Sequence, residues 1–221
     1  MMKIPSLLMK IYGLLRGHFG YLNWWPAETP FEVAVGTILT QNVAWSNVEK
    51  SIEKLRQKGL LNLRRLIEAR PEAVKECISH SGYYNVKYKR LMALMHFIRD
   101  ELEGKIENIR RYNLNDARRR LLDVKGVGKE TADSILLYAA NFPVFVVDAY
   151  TKRSFYRIGI LKSEDMDYDE IQSVFMNNLR RDVRLYNDYH AQIVELSKNF
   201  CRKSPLCKGC PLGKVCRRVI S

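Results

Sequence analysis

The chain is short of acidic residues and has no long apolar run. Its 221 residues include 24 Asp and Glu against 37 Lys and Arg, which gives a formal net charge of +13 at pH 7. This excess favours a polyanionic partner, because binding releases the partner's counterions; a merely basic surface is the alternative. The N-terminal apolar stretch, residues 4–15, is interrupted by Lys10. It therefore predicts an amphipathic helix, and no segment predicts a membrane span.

Strand signals are lacking as well. Nearly every segment repeats its apolar residues with a helical period, and no convincing alternation of apolar and polar residues is present. The sequence therefore predicts an all-α fold of about ten helices. Residues 31–40 are apolar almost all round, which predicts a buried central helix. Asn85 is predicted to cap a long helix that ends at Gly104, and Asn113 or Asn115 to cap a short basic one.

Cysteine is scarce, and its distribution is uneven. Four of the five cysteines lie near the C-terminus, at Cys201, Cys207, Cys210 and Cys216, with no histidine among them. Four thiolates so close in sequence can surround one metal centre in a reducing compartment. Zinc sites more often use two Cys-x2-Cys pairs, whereas a single pair with longer arms favours a 4Fe-4S cluster, so zinc and free thiols are the alternatives. Cys77 lies on an apolar helix face, which predicts a core residue.

The most informative stretch is a Gly-x-Gly hairpin between two helical segments. A basic segment leads into Gly126-Val127-Gly128, and an alanine- and leucine-rich segment starts directly after it. Such a hairpin points backbone N–H groups outward at the start of a helix, which suits one phosphate of a nucleic-acid backbone. Lys125 and Lys129 flank it. A plain helix–turn–helix connection is the alternative.

Asp148 follows a short apolar run, residues 144–147. An aspartate here is often the N-cap of the next helix. In a cleft, its carboxylate could also stabilise an oxocarbenium-like sugar or deprotonate an attacking water. The two roles are compatible. His190 stands alone on a predicted helix, an arrangement more typical of a structural histidine.

The helix–hairpin–helix, Asp148 and the four-cysteine loop together resemble the endonuclease III superfamily of DNA glycosylases. Residues 38–42 (Ile-Leu-Thr-Gln-Asn) and 81–87 (Ser-Gly-Tyr-Tyr-Asn-Val-Lys) agree with it, and the resemblance covers residues 25–217. The resemblance implies two helical lobes with double-stranded DNA in the groove between them and the damaged base flipped into a pocket. One lobe, residues 23–134, ends in the helix-hairpin-helix. The second, residues 1–22 and 135–221, carries the aspartate and the cysteine loop.

The resemblance also implies roles for single residues. Asp148 matches the catalytic aspartate, and Gln41, with Asn42 beside it, matches a DNA-contacting residue that fills the gap left by the flipped base. The first cysteine interval holds five residues, whereas the common family pattern has six.

Glu130 is the main departure from the family. Bifunctional members carry a lysine here, which attacks the sugar and forms a Schiff base, and a carboxylate cannot form that imine. Lys129 points about 100° away around the helix and is a poor substitute. We therefore expect a monofunctional glycosylase that uses water as its nucleophile.

Three tryptophans bear on the substrate. Trp24, Trp25 and Trp45 offer indoles that stack well on cationic rings such as N-alkylated purines, although core packing is the alternative. Trp24-Trp25-Pro26 and the Leu-Thr-Gln-Asn segment resemble the 3-methyladenine glycosylase III branch, and Glu130 is a candidate for contacting the base.

The resulting hypothesis is a monomeric, cytoplasmic, nucleoid-associated base excision glycosylase that acts on an N-alkylated purine such as 3-methyladenine. One alternative is a G·T mismatch, uracil or oxidised-pyrimidine glycosylase, with or without AP lyase activity. The other is a non-catalytic DNA-lesion binding protein.

Overall fold

Helices form all the regular secondary structure of residues 3–22 and 24–219, which are the residues that the computed structural model describes. The all-α prediction is confirmed for these residues. The α-helices are α1 (Ile4–Phe19), α2 (Pro30–Leu39), α3 (Trp45–Gln57), α4 (Leu63–Glu68), α5 (Pro71–Ile78), α6 (Tyr84–Glu101), α7 (Leu114–Leu122), α8 (Lys129–Ser134), α9 (Ala149–Ile158), α10 (Tyr168–Met176) and α11 (Val183–Asn199). Short 3-10 helices cover Ser79–Ser81 and Ile106–Arg111, and a π-helical turn, Ile135–Ala139, continues α8.

The chain divides into two units. The first comprises Met1–Pro26 and Pro143–Ser221, and the second comprises Ala27–Phe142. The sequence predicted boundaries before residue 23, which lies outside the described residues, and after residue 134. The observed second boundary lies later, because the π-helical turn after α8 packs on α2 and so belongs to the second unit.

The second unit is built around α2. Thr29 caps this helix by accepting a hydrogen bond from the Glu32 N–H at 3.1 Å, and Pro30 occupies its first turn. Every residue from Glu32 to Leu39 is buried. The predicted buried central helix is confirmed.

The start of α6 differs from the prediction. The helix begins at Tyr84, so Asn85 lies inside its first turn and does not cap it. Tyr83 is the N-cap residue, with a left-handed φ of +45°, and its side chain makes no capping hydrogen bond. The prediction of an Asn85 cap is wrong, because the backbone turn at Tyr83 brings the chain into the helix two residues earlier.

The first unit surrounds α11. Phe145 stacks on Phe175 with ring centroids 4.0 Å apart, and Tyr189 of α11 meets Phe145 edge to face at 5.9 Å. Residues 188–194 of α11 are buried throughout. Within residues 3–22 and 24–219, no helix is long and apolar enough to span a bilayer.

Candidate nucleic-acid interface and active site

The hairpin forms as the sequence predicts. Asn113 caps α7 by accepting the Asp116 N–H at 3.0 Å, and the Val127 N–H bonds to the Val124 carbonyl oxygen at 3.0 Å. Val124 and Val127 are buried, whereas the residues around them, Lys125, Gly126 and Gly128, are exposed. The hairpin is therefore anchored by its valines and turns its glycine backbone outward.

A buried ion pair fixes the two helices that flank the hairpin. Arg118 of α7 donates from Nε to Asp133 Oδ1 at 2.8 Å and from Nη2 to Oδ2 at 3.2 Å. Asp133, on α8, is fully buried. A bidentate pair restricts orientation as well as distance, so it sets the angle between α7 and α8.

Gln41, just beyond α2, contacts the hairpin directly. Its Nε2 donates to the Gly126 carbonyl oxygen at 3.1 Å and to Thr131 Oγ1 at 3.0 Å, and its Oε1 accepts from Arg90 Nη1 at 2.6 Å. Asn42 follows as an exposed residue with a left-handed φ of +56°. The structure thus brings Gln41 and the hairpin together, and it adds Arg90, which the sequence did not single out.

Arg90 also explains why residue 126 is glycine. The φ of Gly126 is +89°, and a Cβ built there would lie 2.2 Å from Cγ of Arg90. The arginine stem lies flat against the hairpin backbone, and this packing requires a residue without a side chain.

A buried lysine supports the same region. Lys87 is 2% exposed, and its Nζ donates to the carbonyl oxygens of Leu39, at 2.7 Å, and Ser81. Burial and the nearby charge of Arg90 lower the pKa of Lys87 to about 8. Lys87 therefore ties the C-terminal end of α2, next to Gln41, to the turn before α6. In the sequence, Lys87 stood out only as the last residue of the 81–87 segment that resembles the family.

Asp148 is the N-cap of α9, as one of its two predicted roles requires. Its Oδ1 accepts the Thr151 N–H at 2.7 Å and the Thr151 hydroxyl at 2.8 Å. Its Oδ2 lies 3.5 Å from Nε2 of His190 on α11. The side chains of Asp148 and His190 are 12% and 7% exposed. His190 therefore contacts the carboxylate, a position that its isolation in the sequence did not indicate.

Opposing effects set the charge state of Asp148. Burial raises the pKa of the carboxyl group, whereas the charge of His190 and the two hydrogen bonds from Thr151 lower it. The net result is a pKa below the usual range for aspartate. A carboxylate held ionised in this way can stabilise positive charge or accept a proton.

The predicted base-pocket residues are divided between the two units. Trp24 and Trp25 lie in the first unit, partly buried, with ring centroids 6.0 Å apart in an edge-to-face arrangement. Trp45 begins α3 in the second unit, where its Nε1 donates to Glu49 at 2.8 Å. Glu130 is exposed in the first turn of α8, also in the second unit.

Tyr83 is a candidate that the sequence did not single out. Its side chain is 80% exposed at the turn before α6. An aromatic ring exposed to solvent in this way can stack on a nucleobase.

The four clustered cysteines line one cavity. They do so together with apolar and basic neighbours, which are Arg157, Phe200, Pro205, Leu206 and Arg218. The Arg218 N–H donates to Cys216 Sγ at 3.4 Å, and Arg157 Nη1 approaches Cys201 Sγ at 3.8 Å. Burial, and then the charges of the neighbouring thiolates, raise the pKa values of Cys210 and Cys216. Four thiolates here therefore need a positively charged centre between them.

The donor set of this cavity bears on what the centre is. Four cysteine sulfurs line it, which suits a thiolate-ligated centre. In residues 3–22 and 24–219, no three His, Cys, Asp or Glu side chains lie close enough together to hold a metal ion. The 4Fe-4S cluster therefore stays a prediction of the cysteine spacing.

A helix-hairpin-helix held on a helical core, with an aspartate-capped helix after it, defines a class of DNA repair proteins. The chain belongs to the HhH-GPD superfamily of base excision DNA repair proteins, which matches residues 35–181. It is accordingly a DNA glycosylase of the base excision repair family.

Particular relatives agree with this assignment. The chain is 46% identical over 96% of its length, and 96% of the relative's, to MJ1434 of Methanocaldococcus jannaschii, which is provisionally named a DNA repair glycosylase. It is 27% identical to the Endonuclease III of Thermotoga maritima, over 85% of this chain and 82% of that protein.

Solved structures extend the comparison. The H. pylori 3-methyladenine DNA glycosylase MagIII, bound to 1,N6-ethenoadenine, superposes with a TM-score of 0.74 and 32% identity over 89% of this chain and 98% of that one. A trapped Endonuclease III–DNA covalent intermediate gives a TM-score of 0.83 over 99% and 97% of the two chains. At 21% identity, the latter is a likeness of fold alone.

Proposed function

We propose that this glycosylase hydrolyses the N-glycosidic bond of a damaged base, an N-alkylated purine such as 3-methyladenine, and that Asp148 is its catalytic residue. The observation that carries the proposal is that the Asp148 side chain is fixed in place and held in its ionised form. Thr151 occupies Oδ1 and fixes the side chain, while His190 faces Oδ2 and favours the ionised form.

Cleavage of this glycosidic bond needs little assistance from Asp148. An alkylated purine already carries positive charge, so it departs readily with the electron pair of the glycosidic bond. The carboxylate would stabilise the positive charge that develops on the sugar, or take a proton from the water that attacks it. No cofactor is needed for this hydrolysis.

Two observations support an alkylated purine as the substrate. Trp24, Trp25 and Trp45 are all partly exposed, so their faces are not wholly enclosed by core packing. The H. pylori 3-methyladenine DNA glycosylase, bound to 1,N6-ethenoadenine, is 32% identical to this chain over 89% of its length. Glu130 would contact the base.

The residue at position 130 argues against a lyase step. Glu130 is an exposed carboxylate at the second residue of α8, where Schiff-base chemistry would need an amine. The product would be an intact abasic site.

Double-stranded DNA is the proposed partner, bound by a monomer at the nucleoid. The hairpin from Lys125 to Lys129 would hold one backbone phosphate through the outward face of Gly126, Val127 and Gly128. Gln41 and Asn42 would enter the space that the flipped base leaves. Cys201, Cys207, Cys210 and Cys216 would hold a 4Fe-4S cluster, whose role is to fold the basic C-terminal loop.

The test is release of free bases from methylated DNA, compared with duplexes that contain uracil, thymine glycol or a G·T mismatch. We expect release of methylated purines, and borohydride should trap no covalent enzyme–DNA adduct. Faster release from one of the other duplexes would favour the alternative glycosylases. Binding without release from any duplex would indicate a lesion-binding protein, and a trapped adduct would contradict the absence of lyase activity.

A further inference from the structure

Asp188 is a buried carboxylate that the proposed reaction does not use. It lies on α11 and is 1% exposed. Its Oδ2 accepts the Tyr12 hydroxyl at 2.7 Å, and its Oδ1 accepts the Leu22 backbone N–H at 2.9 Å. The first contact reaches α1, and the second reaches the irregular segment just before the paired tryptophans.

A second side chain of α11 holds the same segment. Gln192 Nε2 donates to the Gly20 carbonyl oxygen at 2.7 Å and lies 3.4 Å from Asp188 Oδ1. Further along the helix, Lys198 Nζ lies 5.6 Å from the ring centroid of Trp24. The segment between α1 and the tryptophans therefore follows α11 and is bound to it at several levels.

These contacts matter because the segment has little structure of its own. Among its described residues, 20–22 and 24–29, none is helical or in a strand. The backbone N–H of such a segment is fixed only by the acceptor that it meets. An apolar residue at position 188 could fill the space but could not hold Leu22, and it would leave the Tyr12 hydroxyl buried without an acceptor.

The Tyr12 hydroxyl is a dependable donor to this carboxylate. Burial, together with its bond to Asp188, raises the pKa of Tyr12 to about 12, although Arg16, which donates to the hydroxyl at 3.1 Å, opposes the shift. The phenol therefore stays protonated under all conditions in which the protein would act.

The same helix contacts the candidate catalytic carboxylate. His190, between Asp188 and Gln192 in sequence, approaches Asp148 Oδ2 at 3.5 Å. A helix is a stiff element with a fixed rise per residue, and α11 is buried along this stretch. One rigid element thus touches both Asp148 and the segment that leads to the tryptophans.

We infer that Asp188 is a positioning residue, through which α11 sets the location of Trp24 and Trp25 relative to Asp148. The role rests on the proposed function, since it assumes that the damaged base stacks on these indoles. It assigns the irregular segment to substrate placement, with Gln192 as the second anchor. Displacement by about an ångström of a group that positions substrate can cost up to a hundredfold in rate.

The first test measures the solvent exposure of the two tryptophans in the absence of DNA. In a Trp45→Phe background, Trp24 and Trp25 are the remaining tryptophans of the chain, so acrylamide quenching of their fluorescence reports their exposure. Asp188→Ala should increase the quenching. Tyr12→Phe is the matched control, because it removes the other partner of Asp188 and leaves the Leu22 contact, so quenching should stay at the level of the background protein.

The second test uses the wild-type tryptophans and single-turnover base release. Asp188→Ala should lower the rate at saturating DNA about tenfold to a hundredfold, with little change in affinity for undamaged duplex. Asp188→Asn keeps an oxygen that can accept the Leu22 N–H and should restore most of the rate. If Asp188→Ala does not fold, Gln192→Ala, which releases Gly20, should show the same increase in quenching and loss of rate.

The inference is overturned if quenching does not change in Asp188→Ala, or, where that variant does not fold, in Gln192→Ala. It is equally overturned if Tyr12→Phe increases quenching as much as the anchor variants do. Failure of the wild-type protein to release any base would reject the proposed function instead, and the fluorescence result would still decide whether Asp188 anchors the segment.

Discussion

At the scale of single residues, the two carboxylate oxygens of Asp148 have different roles: one caps α9, and the other is available for the proposed reaction. Oδ1 is engaged by Thr151 and completes the first turn of α9, while Oδ2 faces His190. A cap alone would not require a buried histidine beside the second oxygen. The pairing therefore argues that the carboxylate is kept ionised for a purpose beyond capping.

His190→Gln should make base release more sensitive to acid. The charge of His190 helps to lower the pKa of Asp148. Because activity requires the ionised carboxylate, loss of the charge should move the acid limb of the pH–rate profile to higher pH. At the acid end, we expect a single-turnover rate about tenfold below that of the wild type.

The His190→Gln measurement needs a check on folding. Glutamine can donate a hydrogen bond to Oδ2, so the thermal midpoint near neutral pH should change little. A variant with an acid limb identical to that of the wild type would show that His190 does not control Asp148.

At the scale of elements, the hairpin depends on contacts from distant parts of the sequence. Gln41 lies just beyond the end of α2, Arg90 lies within α6, and both contact Gly126. The hairpin is therefore a tertiary assembly, since its phosphate-facing backbone is held by side chains that are remote in sequence.

Gly126→Ala should damage this assembly, and Gly128→Ala should not. At position 126, the new methyl group would meet Arg90 in a backbone conformation that disfavours side chains, at a cost of about 1–3 kcal/mol in the free energy of unfolding. At position 128, φ is −95° and no atom lies within 4 Å of the added Cβ, so the cost should stay below about 1 kcal/mol.

Urea unfolding of the two glycine variants provides the measurement. We expect a lower free energy of unfolding for Gly126→Ala than for Gly128→Ala, since Arg90 has to shift and release Gln41 in the first variant alone. Equal losses in both variants would contradict the role assigned to Arg90.

Elements governed by local signals could be predicted from the sequence. The Asn113 cap, the hairpin and the buried central helix each depend on neighbouring residues, and each is present in the structure. The start of α6 could not be predicted, because it depends on a left-handed tyrosine, which sequence rules disfavour. The burial of Lys87 and its bonds to two carbonyl oxygens depend on tertiary packing alone.

The candidate site was predictable to a similar extent. The sequence singled out Asp148 by its position after an apolar run, but gave no reason to pair it with His190, which lies 42 residues further along the chain. Gln41 was noted for a family role, whereas its contact with the hairpin emerges only from the fold.

At the scale of the whole molecule, α9 connects Asp148 to the cysteine loop. Arg153 Nε donates to the Cys201 carbonyl oxygen at 2.8 Å, and the Arg217 N–H donates to the Ile158 carbonyl oxygen at 3.2 Å. The chain from Lys198 onward carries seven basic residues and no acidic one. A centre that folds this loop would thus present a basic surface on the unit that holds Asp148.

The purified protein should contain about four iron and four sulfide per chain and be coloured. Cys207→Ser should lose most of the iron, because it removes one of the four thiolates that line the cavity. Cys77→Ala should retain it, since Cys77 is buried in α5, outside the cysteine loop. A colourless wild-type protein with one zinc per chain would contradict the cluster assignment.

The central claim is that Asp148 performs the excision, and Asp148→Asn tests it most directly. Asparagine caps helices as well as aspartate does, so the variant should fold. Single-turnover release of methylated purines should fall below detection, while affinity for the same DNA stays equal or rises, since one negative charge near the backbone is removed. Base release at the wild-type rate by a folded Asp148→Asn protein would contradict the account.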